Sequence, residues 1–181
     1  MYNLKSPSQE ASSVKKLLTC MIVAAAACLP ALADDAADVK AVQQLADKYY
    51  ETTRKAKDIE DIVPLMAKKN KQKVHEQPVP KELHDMAMSM LRSHVPLSYK
   101  ILSEKVEPDR VTLVLESADF PKDQMIPLPK DSVASGEFVA VKEEGEWRVY
   151  KDYWSAKSKD GSEKTTFGTN PDAESSPQQG K

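Results

Sequence analysis

The sequence predicts an α+β domain in which helices come first and an antiparallel sheet follows. Apolar residues recur at three and four positions through the first half of the chain, and the period changes to two near Tyr99. The two clearest period-two pairs are joined by turn signals, at Pro108-Asp109 and at Gly145. The chain has 181 residues, 40% apolar and 30% charged, with a formal net charge of -2, which suits one domain of ordinary composition. With 26 Lys plus Arg against 28 Asp plus Glu, no basic excess exists to hold a phosphate backbone, so nucleic acid is not an expected partner. All five glycines lie at or beyond Gly136. The rest of the chain therefore has no Gly-rich phosphate cradle, and nucleotide folds built on one are excluded.

Residues 1–33 read as a cleaved export signal. Basic Lys15-Lys16 precedes the thirteen-residue apolar run Leu17 to Leu29, and Ala31-Leu32-Ala33 places small residues three and one positions before a cut at Asp34. A membrane span needs about 20 apolar residues, and this run meets Asp34-Asp35 too soon, so stable membrane insertion is not expected. The expected location is the periplasm or the exterior. The minority alternative is a lipoprotein anchored at Cys28, since Ala25-Ala26-Ala27 supplies the small residues that precede such a cysteine. Cys20 and Cys28 are the only cysteines, so the domain from 34 onward has neither disulfide nor thiol chemistry. Cleavage removes three lysines and one glutamate, taking the net charge from -2 to -4.

The elements follow in order. From Asp38, Val39, Val42, Leu45, Ala46, Tyr49, Tyr50 and Thr53 describe one helix face. Asp58 caps a short second helix with Ile59, Ile62, Val63 and Met66 inward, which Pro64 kinks or divides. The run Lys68 to Lys73 has no apolar period and reads as a solvated loop. Pro80 opens a third helix whose Leu83, Met86, Ala87, Met90, Leu91 and His94 face the core, and Pro96 closes it. Glu107-Pro108-Asp109-Arg110 turns a first hairpin between strands beginning near Tyr99 and ending near Ser117. The stretch from Ala118 to Ser135 is an irregular connection whose Met125-Ile126 could lip a pocket. A second hairpin joins Glu137 to Lys142 with Trp147 to Trp154 through Gly145. Residues 157–181, with only Phe167 and Ala173 apolar, are expected to be disordered. The folded domain is then 34–156.

The order of elements, the long first helix carrying Tyr49-Tyr50 and the closing strand Gly145-Glu146-Trp147-Arg148-Val149 resemble the NTF2-like superfamily, in particular its small exported members without an assigned role. The resemblance covers about 36–156 and implies a cone of three N-terminal helices packed on a curved antiparallel sheet. Its open end would serve ligand binding, catalysis or dimerisation, and fold alone does not choose among these.

Several chemistries compete for these residues. His84-Asp85-Met86-Ala87-Met88 offers soft ligands for Cu(I), yet on a helix His84 pairs only with Met88, and Met86 and Met90 serve the core instead. His75, His84 and His94 lack zinc spacing, and no Gly-x-Ser-x-Gly elbow supports a serine nucleophile. On the last strand Tyr150, Asp152 and Trp154 share one face, while Trp147, Val149, Lys151 and Tyr153 share the other. With Tyr50 and Met90 they make the candidate pocket set. The leading expectation is a non-enzymatic exported domain that needs no cofactor and binds a small apolar ligand or a protein partner, with homodimerisation left open. The alternative is a lyase- or isomerase-type pocket enzyme with Asp152 as acid or base. The third is periplasmic Cu(I) binding through His84 and Met88.

Overall fold

The first helix forms where the three-and-four spacing places it. The computed structural model describes residues 29–122, 127–129 and 131–172, with side chains from Asp35 onward. Helix α1 spans Leu29–Lys55 and buries Val42, Ala46, Tyr49, Tyr50 and Thr53. The Thr53 hydroxyl donates to the Tyr49 carbonyl at 2.7 Å, which allows a polar side chain in this apolar face. The chain divides into two units between Ala37 and Asp38, and the core and the sheet belong to the second. The expected cut before Asp34 falls within α1, whereas Lys15-Lys16, Cys20 and Cys28 lie outside the described residues. No described helix is long and apolar enough to cross a membrane.

Asp58 caps as expected, accepting from the Glu60 N–H at 3.1 Å. Pro64 divides the segment into two 3-10 turns, Ile59–Asp61 and Val63–Leu65. The sheet is a five-stranded antiparallel meander in chain order: β1 Lys100–Glu107, β2 Arg110–Ser117, β3 Val133–Glu143, β4 Glu146–Lys157 and β5 Lys164–Thr169. Both hairpins are those the turn signals specify, and Gly145 takes a φ of 84°. One sheet face carries Val111, Leu113, Leu115, Phe138, Val149 and Trp154, all buried. Tyr49 and Tyr50 of α1 pack on Phe138 with ring centroids 6.0 and 5.8 Å away, so the interior is an aromatic helix-on-sheet core. Met125 and Ile126, the suggested lip, lie outside the described residues.

Four expectations are corrected. The Lys68 to Lys73 run is not a loop: it forms most of α2, Lys68–Glu76. Its cause is tertiary. Strand β5 pairs with β4 only from Asp152 to Lys157, and a bulge at Tyr150 interrupts the β3–β4 ladder. The Val149 and Tyr150 carbonyls left without strand partners accept from the buried Asn70 Nδ2 at 3.1 and 2.8 Å, and Val149 also accepts from the Ala67 N–H at 2.8 Å. These bonds satisfy an edge that would otherwise be orphaned.

The second correction is β5 itself, inside the stretch expected to be disordered from 157. Its pairing with β4 satisfies the backbone, Phe167 is buried, and the chain beyond it returns to α2, where Lys73 Nζ donates to the Pro171 carbonyl at 3.1 Å. Residues 173–181 lie outside the described residues. Third, the helix expected from Pro80 is a 3-10 turn, Lys81–Leu83, followed by α3, His84–Ser93. The face is rotated from the expected one: Met88 is 3% exposed, whereas Leu83, Met86 and Met90 are exposed. Apolar residues sit almost all round α3, so periodicity does not select its buried side.

Fourth, Tyr150 does not share a face with Asp152 and Trp154. As the extra residue of the bulge it shifts strand parity, and Trp147 and Val149 come to lie on the same face as Asp152 and Trp154. Tyr150 instead sits beneath the Arg110 guanidinium, 4.9 Å from its ring, and its hydroxyl bonds Asp172.

Candidate functional site

The buried carboxylate of Asp152 is the chemical centre of the domain. It sits on β4 opposite Phe138 and is 6% exposed. Its Oδ1 accepts from the Tyr50 hydroxyl of α1 at 2.9 Å and from Trp154 Nε1 at 2.9 Å. Both donors are fully buried, so they fix the carboxylate and do not themselves reach a ligand. Burial pushes the Asp152 pKa up to about 6, and the two hydrogen bonds oppose that rise. The same burial, with the Asp152 charge beside it, raises the Tyr50 phenol well above its ordinary value.

Oδ2 of Asp152 has no hydrogen-bond partner among the described residues, and Asp152 lines a cleft of about 330 Å³. The other walls come from α1 (Tyr49), from α3 and the turn after it (Ala87, Met90, Leu91, His94, Val95) and from β5 (Thr166 to Thr169). Two glycines make this arrangement sterically feasible. A Cβ on Gly136, paired with Trp154 across the sheet, would lie 2.7 Å from the indole. A Cβ on Gly168 would lie 2.1 Å from the Asp152 carbonyl, and its φ is +98°, so only glycine lets β5 pass this close. Opposite, His94 is 8% exposed. Its Nδ1 lies 2.7 Å from the Met90 carbonyl, and its ring is tilted against Phe167 with the centroids 5.1 Å apart.

Of the residues singled out from sequence, the structure brings together Tyr50, Asp152 and Trp154 by hydrogen bonds and adds Met90 at the cleft wall. It sets Tyr150 apart. Sequence reasoning misses His94, Tyr49 and the β5 residues as site members. Lys-Thr-Thr-Phe-Gly-Thr at 164–169 does carry strand formers, and that is the available signal.

The candidate copper pair is separated in role. His84 Nε2 lies 3.2 Å from Asp58 Oδ2, while Met88 belongs to the buried apolar cluster. Among the described residues no group of three or more His, Cys, Asp or Glu is placed to hold a metal.

No family model, curated protein or solved structure matches the chain. The geometry of the site itself is therefore what bears on function.

Proposed function

We propose that this chain is an exported, NTF2-like ligand-binding domain, starting at Asp34 after cleavage, that holds a small and largely apolar molecule in the Asp152 cleft. The observation that carries the reading is a fixed carboxylate, one oxygen satisfied inside the core and the other without a partner among the described residues, in a residue that lines a largely apolar cleft. Ligand sites are typically of this composition, apolar with a few oriented polar groups. Met90, Leu91, Val95 and Phe167 supply the apolar surface, and Asp152 supplies orientation. Tyr49, Tyr50, Phe138 and Trp154 fill the space behind, which limits the ligand to the cleft. A screen of small apolar compounds by thermal shift, followed by nuclear magnetic resonance mapping, tests this. Hits should shift the Thr166, Phe167 and Thr169 signals and be weakened by Thr166→Trp at the exposed rim. Hits that map elsewhere would overturn the reading.

A second reading has one observation in its favour. A carboxyl with a pKa of about 6 can exchange a proton with a bound molecule near neutral pH, as a lyase or isomerase requires. That reading predicts deuterium incorporation from heavy water into a bound carbon acid, dependent on Asp152, which a pure binding domain would not show.

A further inference from the structure

We infer that the cleft is built for a cation: a primary ammonium on one ring or a short branched chain, with its N–H groups on Asp152 Oδ2 and its apolar part against Met90, Leu91 and Phe167. The inference rests on the small-molecule reading above and adds the chemical class.

Charge is the first ground. Buried carboxylates are ordinarily paired, yet the groups bonded to Asp152 are a phenol and an indole, both neutral. No Lys or Arg lines the cleft. The neighbouring Lys151 serves the opposite sheet face, where its Nζ bonds Glu137 at 2.8 Å. The domain thus buries a negative group with no Lys or Arg counter-charge bonded to it among the described residues. An ammonium supplies that charge.

Hydrogen-bond capacity points the same way. His94 Nδ1, 2.7 Å from the Met90 carbonyl, must be the protonated nitrogen, because two acceptors cannot share a hydrogen bond without a donor. His94 Nε2 is buried without a hydrogen-bond partner among the described residues. The charged group at the cleft, Asp152, can only accept, whereas the Thr166 and Thr169 hydroxyls at the rim can donate or accept. A carboxylate or phosphate brings a second negative charge beside Asp152 and no donor for it, and is disfavoured. An alcohol brings one donor, whereas an ammonium brings three donors and the missing charge. The volume of about 330 Å³ lies at the low end for ligand sites, which suits one ring and excludes a larger body.

The test is a set of nuclear magnetic resonance titrations of the full chain at pH 7.5 with 2-phenylethylamine, 2-phenylethanol and 3-phenylpropanoate, which share a skeleton and differ in head group. The amine should bind about tenfold or more tighter than the alcohol, shifting Thr166 and Thr169, and the propanoate should bind most weakly. Asp152→Asn should abolish the preference for the amine and leave alcohol binding in place. The wild-type ranking decides by itself should that variant not fold. If the alcohol or propanoate binds the cleft as tightly as the amine, the cation assignment is overturned while the ligand-binding reading stands. If the amine preference survives in a folded Asp152→Asn protein, the assignment to this carboxylate is overturned. If none of the probes moves a cleft signal while a hit from the apolar screen does, the cation assignment alone falls. If neither does, both fall.

Discussion

Asp152 makes the stability of the domain depend on pH in the direction opposite to most carboxylates. Its folded pKa of about 6 lies above the ordinary 3.8, so the folded state holds its proton over a range where the unfolded chain has lost it. Stability from this group is therefore greatest below about 4 and declines as pH rises through 6. The difference corresponds to about 3 kcal/mol by the usual conversion of pKa into free energy. Asn keeps the shape and an oxygen for Tyr50 and Trp154 but carries no charge. Urea unfolding of the wild type and Asp152→Asn at pH 4 and pH 7.5 should show the variant gaining on the wild type by roughly 2–3 kcal/mol over that interval. A gap that does not change with pH would show that the carboxylate is not desolvated as described. Comparing the two proteins cancels the titration of the exposed acids, which is common to both.

At the scale of elements, α3 decides which methionine is structural. Met88 is 3% exposed within the apolar cluster, whereas Met90 is 40% exposed. Met88→Ala should cost roughly 2–5 kcal/mol, and Met90→Ala should stay within about 0.5 kcal/mol. Equal costs would mean that the helix is rotated from the orientation described. Helix α1 and both hairpins were legible in the sequence because period and turn chemistry agree there. Helix α2 was not legible: its lysines carry no apolar stripe, and its position depends on Asn70 meeting two carbonyls from a distant strand. The site was legible in half. Alternate positions pointed to Asp152 and Trp154, with Tyr50 from the first helix. The bulge that turns Tyr150 away left no mark in composition, because a bulge is a property of the pairing partner as much as of the strand.

For the molecule as a whole, the fifth strand separates a closed core from an open one. Without it, Trp154 and Phe120 lose the Phe167 side of their aromatic cluster, in which the Phe120 centroid lies 5.6 Å from Trp154 and 5.5 Å from Phe167. The outer edge of β4 from Asp152 to Lys157 would also lose its ladder. A chain ending after Lys157 should melt more than about 5 °C below the full chain, since that shift corresponds to only about 1 kcal/mol for a domain of this size and losing a buried Phe side chain alone costs roughly 3–5. Calorimetry of the two chains checks it, and coincident transitions would show that β5 does not dock. Composition pointed the other way because it weighs the segment by its own apolar content, whereas the strand is held by backbone pairing and one aromatic ring.

The hydrogen bond from Trp154 to Asp152 also gives the protein a built-in optical probe. The two tryptophans differ in surroundings: Trp154 is sealed beside the cleft, while Trp147 is half-buried with its Nε1 on Asp38. A water-soluble quencher reaches Trp147 first and leaves the emission of Trp154 to be read separately. Because the Trp154 indole N–H and the cleft share one carboxylate, a molecule that neutralises Asp152 alters the field across the indole without touching it. Occupancy of the cleft can then be followed in unlabelled protein by colour alone.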